Sequence, residues 1–496
     1  MQELVRMENI CGNNILNHAR LNVMRGEIVG ILGMNNAGKT ELVNILAGRQ
    51  QAETGKLYFE DRPVTIASPA QANALGIYYI HEEEQVLKDF TVAENILVMR
   101  KKPGRDLFSM KRIVERCSQL LGILFPEETG IRLRAEDYLR DLNDLQRLAV
   151  QIIKVVSSDA KLIIIDHYLD GFPRPWIESL RKWLSLLSKN LYLSFVITDH
   201  RAHNLSKLCG RLFVLRGGMN AGTFEKGKCD EETLTSVMTG NLMENNAVLK
   251  RAANDGETIF EFRGVRIPGE KEKLDITLLA GEMTGICCMS HRFMRSFCDA
   301  LTGEQPVREG EILLDGNPVK INSPDDAIDY GIGMVLGKSG LFSNMSFTEN
   351  VSITALRKFS SKAGIINSGA TSLAMSEALS IWKLPYLMSE NADNLDRYTE
   401  KKILISRAMA ILPRIMVYQQ LDKGLDDIAY DRLIKQILEM PIKPKASLFV
   451  SSNVQNLIKV CTKIYFVYEG KAINTVYPPT TDRERMLSYY RSFCEM

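Results

Sequence analysis
The sequence has no run of about 18 apolar residues, the length a helix needs to cross a bilayer. Its opening, Met1-Gln2-Glu3-Leu4-Val5-Arg6, has no signal-peptide core. Work at a membrane would therefore require docking by another subunit. An excess of either charge is also missing. Lysine plus arginine number 62 against 60 for aspartate plus glutamate, a net charge of +2. That balance carries neither the basic footprint of nucleic-acid binding nor a polybasic membrane anchor. Nine cysteines include no CxxC pair, and their odd total suits neither a zinc ribbon nor a disulfide framework; a reducing cytoplasm is the simplest setting. Apolar residues make up 45% and charged residues 25%, which excludes long disorder.

The 496 residues exceed what one hydrophobic core organises, so two or more domains are expected. An internal repeat shows where to divide them. Gly26-Glu27 recurs as Gly281-Glu282, Gly55 as Gly310, Ser68-Pro69 as Ser323-Pro324, Gly76-Ile77 as Gly331-Ile332 and Glu94-Asn95 as Glu349-Asn350, always 255 residues on. A constant offset carried by different residue types indicates a duplicated domain rather than a solenoid. The polar, small-residue segment from Met243-Glu244-Asn245 to Asn254-Asp255-Gly256 reads as a linker. Residues 1–242 and 258–496 are then the domains, joined by 243–257. Each half alternates short apolar strands with helical stretches, an α/β organisation.

In the first half, Gly33-Met34-Asn35-Asn36-Ala37-Gly38-Lys39-Thr40 fits GxxxxGK[ST]. The apolar strand Ile28-Val29-Gly30-Ile31-Leu32 precedes it and a helix-like run from Glu41 to Gly48 follows. Glycines let backbone amides converge on phosphate oxygens, Lys39 brings a positive charge to the β- and γ-phosphates, and the Thr40 hydroxyl suits magnesium. A magnesium nucleotide also needs a carboxylate at the end of a neighbouring buried strand, which Leu162-Ile163-Ile164-Ile165-Asp166 supplies. The expected ligand is ATP with Mg2+. A chance glycine loop, or an aspartate that only caps a helix, is the alternative to each motif taken alone.

With these residues in place, the sequence resembles the tandem ATP-binding subunits of bacterial ABC importers for ribose-, galactose- or xylose-type sugars. Further segments carry the likeness: Ile66-Ala67-Ser68-Pro69, Thr91-Val92-Ala93-Glu94-Asn95-Ile96, Phe195-Val196-Ile197-Thr198-Asp199-His200 and Leu212-Phe213-Val214-Leu215-Arg216-Gly217-Gly218. The resemblance implies two fused cassettes, each an α/β core with a helical subdomain, near 85 to 150 and 340 to 405. It also implies docking on two permease subunits, an extracytoplasmic sugar-binding protein as indirect partner, and a cytoplasmic location on the inner membrane face.

The resemblance assigns roles residue by residue, and several positions depart from it. The metal- and permease-sensing glutamine position holds Glu82, and the water-polarising glutamate position after Asp166 holds His167. His200 matches the switch histidine that contacts the γ-phosphate. In the second half the loop reads Cys288-Met289-Ser290-His291-Arg292-Phe293-Met294-Arg295, with Met294 for the lysine and Phe293 for the helix-proximal glycine. Gln419 and Gln420 replace the aspartate and glutamate, and Ser451-Ser452-Asn453 lacks the histidine. No nucleotide is expected at that half's own loop. In such proteins the signature of one cassette faces the phosphate loop of the other. The signature positions hold Leu142-Asn143-Asp144-Leu145-Gln146 and Leu395-Asp396-Arg397-Tyr398-Thr399. Whether Asp396 or Arg397 meets nucleotide stays open at this point. Two functions follow: a transporter ATPase subunit with weak or impaired hydrolysis, or a non-hydrolysing ATP sensor or scaffold.

Overall fold
The structure, a computed structural model, describes residues 2–12, 15–81, 87–97, 110–125, 129–170, 172–240, 256–337, 340–342, 344–356, 367, 369, 382 and 395–478. The chain forms two compact units, Met1–Asn245 and Asn246–Met496. The linker expected at 243–257 lies almost wholly outside the described residues.

In the first unit a six-stranded sheet runs in the order Met219–Glu225, Arg211–Arg216, Ile28–Gly33, Ser194–Asp199, Leu162–Asp166, Ile77–His81. Only the Met219–Glu225 edge pairs antiparallel. Continuous apolar runs form these strands because both faces are covered. Ile28, Leu32, Ile163, Ile165, Phe195 and Ile197 pack into one apolar cluster, and Val29, Ile31, Ile164 and Val196 into another, the two-residue alternation of a pleated sheet. A second sheet, antiparallel and four-stranded, runs Leu16–Met24, Glu3–Gly12, Thr54–Phe59, Arg62–Val64.

The second unit repeats both sheets. Its larger one runs Ile332–Val335, Ile415–Gln419, Ala446–Ser451, Met283–Cys287, Lys463–Tyr468, Lys471–Val476, which is the same spatial order. The segment expected to be helical in the first half contains Val92–Leu97, Met110–Leu124 and Asp144–Val156. In the second, Phe347–Ser352 and Arg397–Met409 are its described helices of that span.

The repeated residues turn out to fix backbone. Ser68 and Ser323 each cap a helix that starts with proline, accepting from Gln71 N at 3.4 Å and Asp326 N at 3.2 Å. Asn95 and Asn350 are buried and donate to carbonyls of the preceding loop, Leu87 O at 3.1 Å and Phe342 O at 2.9 Å. Glu27 pairs with Arg211 at 2.8 Å, and Glu282 with Lys463 at 2.9 Å, the latter pair with each side chain only 5% exposed.

Candidate functional site
The first unit's loop strand ends at Gly33 beside two others. Leu32 registers with Asp199, and Ile165 with Ile197, so the phosphate-loop motif, Asp166-His167 and Asp199-His200 all emerge at the carboxyl edge of the sheet. That edge is where open α/β sheets bind ligands. The helix Lys39–Leu46 starts directly after Gly38, whose φ of +97° is open to glycine but strained for other residues. A Cβ there would lie 2.7 Å from Leu16 Cδ2. Asn36 also has positive φ, +61°, and is exposed, while Asn35 and Thr40 are half-buried. Ala37 is held from behind, its carbonyl accepting from Gly218 N at 3.2 Å, so the turn after Arg211–Arg216 supports the loop.

Lys39 is only 3% exposed, and its ammonium donates to Gly33 O and Met34 O, both at 2.8 Å. The lysine thus folds back along the loop it follows. The loop therefore pairs a caged cation with a helix N-terminus, a combination suited to polyphosphate.

Asp166 is fully buried. Its Oδ2 accepts the Tyr79 hydroxyl at 2.7 Å and its Oδ1 accepts the Thr198 hydroxyl. The Thr198 oxygen also accepts His167 N at 3.2 Å, and His167 has a φ of +48°. Burial holds the His167 imidazole well below its ordinary pKa; Lys39 and His200 add to the fall, while Asp166 and Asp199 oppose it. His200 is 3% exposed, neither ring nitrogen has a hydrogen-bond partner, and Nδ1 lies 3.6 Å from Asp199 Oδ1. Asp199 itself is pinned by His200 N at 2.7 Å, Arg201 N at 3.1 Å and the Asn204 amide at 2.7 Å. Glu82 lies outside the described residues.

The hydroxyl of Thr40 and the carboxylate of Asp166 are hard oxygen donors, which fit magnesium. No cluster of three or more His, Cys, Asp or Glu able to hold a metal occurs among the described residues. A metal here would depend on nucleotide phosphates for most of its ligands, the usual arrangement for magnesium.

The corresponding loop of the second unit has a different secondary structure. Its helix, His291–Thr302, begins three residues earlier in the repeat than Lys39–Leu46, capped by Ser290, which accepts from Phe293 N at 3.1 Å. Residues that would wrap phosphate are spent on a helical turn. Phe293 and Met294 are buried at 2% and 0%, and Phe293 stacks on Phe297 at 5.7 Å. Cys287 and Cys288 are fully buried in two different apolar clusters. Burial pushes the Cys288 thiol far above its ordinary pKa, a setting for packing rather than metal ligation.

At the two signature positions the side chains act as helix caps. Asn143 accepts from Gln146 N at 2.9 Å within a capping box. Asp396 is exposed and accepts from Thr399 N at 3.0 Å and Thr399 Oγ1 at 2.8 Å, and Arg397 pairs with Glu400 at 3.0 Å. The sequence reading missed Tyr79 and Thr198 as partners of Asp166. Their signal was available in the repeat, because the matching sheet positions of the second unit hold Met334 and Val450.

Comparison with known proteins extends these observations. Residues 16–169 match the family model for ABC transporters. The ribose import ATP-binding protein RbsA of Halalkalibacterium halodurans is 25% identical over 486 residues, covering 97% of this chain and 96% of that protein. RbsA of Geobacillus kaustophilus is 26% identical over 468 residues, 92% of each chain. A nucleotide-free ATP-binding cassette from an ABC transporter aligns with 51% of this chain and 100% of its own, at 23% identity and a TM-score of 0.40. The resemblance to tandem importer ATP-binding subunits holds along nearly the whole chain.

Proposed function
We propose that this chain is the ATP-binding subunit of a sugar importer, one whose first cassette binds Mg-ATP and whose second is a scaffold. The observation that carries the reading is the buried Lys39 ammonium, 2.8 Å from two loop carbonyls at the start of a helix, in a chain similar end to end to ribose import ATP-binding proteins. Amides of Gly33, Asn35, Asn36, Ala37 and Gly38 would cradle the phosphates, with Lys39 on the β- and γ-phosphates. Thr40 and Asp166 would face magnesium, with Glu82 as a further metal-side carboxylate, and His200 would contact the γ-phosphate. No helix among the described residues is long and apolar enough to cross a membrane. Import then requires permease subunits, two in this reading, with an extracytoplasmic sugar-binding protein beyond them. The chain itself would lie peripherally on the cytoplasmic face of the membrane.

One observation favours a second reading, an ATP-sensing regulator or scaffold that does not hydrolyse. His167 stands where the family's water-polarising carboxylate belongs, and its imidazole is a poorer proton acceptor than a free histidine because burial disfavours the charged form.

Calorimetric titration with ATP and magnesium, with phosphate release followed on the same preparation, tests both. One bound nucleotide with Lys39-dependent release supports the importer motor. One bound nucleotide without release favours the sensor. Lys39→Ala should weaken binding about 100-fold or more, the scale of a lost charge-assisted contact of about 3 kcal/mol. Met294→Ala should leave affinity unchanged; equal losses in the two variants would refute the assigned asymmetry.

A further inference from the structure
The geometry points to Tyr79 and Thr198 as a two-hydroxyl clamp on Asp166, positioning residues that orient this carboxylate for the magnesium of bound nucleotide. The inference rests on the Mg-ATP reading of the first unit. Asp166 has no exposed surface, and each of its oxygens accepts one hydroxyl, Tyr79 on Oδ2 at 2.7 Å and Thr198 on Oδ1. A carboxylate offers about four lone-pair sites, so two remain for a metal or its water. A carboxylate tied at both oxygens cannot rotate about its Cβ–Cγ bond without breaking a hydrogen bond, so its free lone pairs keep one direction. Tyr79 is itself held, because the Arg49 guanidinium sits 4.2 Å from its ring centroid.

The repeat supplies the internal control. Asp166 becomes Gln419 in the second unit, and the two clamp positions change with it. Tyr79 registers with Ile164 on the carboxylate strand, and Met334 registers with Val417 in the same way. The strand partner across from Ile165 is Ile197, next to Thr198, and the partner of Gln419 is Val450. Arg49 becomes Glu304, at the repeat's offset of 255. Hydroxyl, hydroxyl and carboxylate are thus present together in the unit that keeps a lysine loop, and replaced together by methionine, valine and amide in the unit that lost it. A clamp that served only to fill the sheet would not need to be exchanged with the carboxylate.

The test is ATP titration of the full chain across a Mg2+ series, with a parallel titration in EDTA, on wild type, Tyr79→Phe, Thr198→Val and Thr198→Ser. Loss of an outer partner of a metal-side carboxylate weakens metal affinity about 10-fold or more. Tyr79→Phe and Thr198→Val should therefore raise the Mg2+ concentration for half-maximal tightening about 10-fold. Affinity for ATP in EDTA should stay at the wild-type value, and Thr198→Ser, which keeps the hydroxyl, should behave as wild type. An unshifted Mg2+ midpoint in Tyr79→Phe and Thr198→Val would overturn the clamp. So would an equal loss of affinity with and without Mg2+, because that is the mark of a merely structural role. Wild-type chain that binds no nucleotide at all would instead refute the Mg-ATP reading, and the clamp with it, before any variant is made.

Discussion
The two units share a sheet order, helix caps and a glutamate ion pair, yet in one the loop strand leads into a glycine–lysine loop and in the other into a helical turn. The difference lies in a few side chains at one sheet edge. Gly38 permits the left-handed turn that delays the helix until Lys39; Phe293 in its place belongs to a helix already under way and is buried against Phe297. Once the loop is helical, the Phe293 amide takes the Ser290 hydroxyl and the Met294 amide the Ser290 carbonyl, so neither is left for a ligand. A duplicated domain can thus exchange the residues of this loop and keep its fold, because the two depend on different residues.

The largest expected effect comes from trying to undo that difference. The double variant Phe293→Gly with Met294→Lys restores the motif's letters in the second unit, but it removes a buried ring and places an ammonium where Met294 has no exposure. Loss of roughly 3–5 kcal/mol is expected from the ring alone. Denaturant unfolding should show a destabilised chain, and calorimetry should still count one nucleotide; two nucleotides would mean that the loop sequence alone sets the site. Next in size is the scaffold pair. Glu282→Gln leaves Lys463 buried beside a neutral partner and should lose roughly 3 kcal/mol. Glu27→Gln should lose about 1 kcal/mol, because Arg211 is more exposed and keeps its bonds to Asn22. Equal losses in unfolding melts would show that burial does not separate the pairs.

A smaller effect, on rate rather than stability, is expected at His167→Glu. The backbone there is already held by Thr198, and a carboxylate in that place should raise phosphate release about 10-fold, or 1.4 kcal/mol of barrier. A flat rate would place the defect elsewhere in the site. Smallest are the caps. Asn143→Ala and Asp396→Ala should each destabilise by about 1 kcal/mol with ATP affinity unchanged. A large change in ATP affinity for Asp396→Ala would show that this carboxylate meets nucleotide as well as capping its helix.

Much of this was legible in the residues. The constant offset of 255 marked the duplication because the glycines, the caps and Glu27 and Glu282, which accept from the backbone amides of Met24 and Leu279, are each required by local backbone geometry, which a sequence records directly. The glycine–lysine loop was legible for the same reason, since its motif is local and contiguous. The signature positions were harder to read. Asp396 and Arg397 offered two charges of opposite sign, and the partners they take, Thr399 and Glu400, come within reach at the helix start. Tyr79 and Asp166 lie 87 residues apart, and no periodicity links them.

The sequence by itself determined two α/β units, one lysine loop, one strand-end carboxylate, and the replacement of each in the second half. Tertiary structure alone decided that Phe293 and Met294 enter the core, and that two hydroxyls from separate strands meet on Asp166. The physical reason is range. Turn, cap and loop chemistry acts between residues a few positions apart, whereas a buried carboxylate takes its partners from whichever strands the sheet order sets beside it.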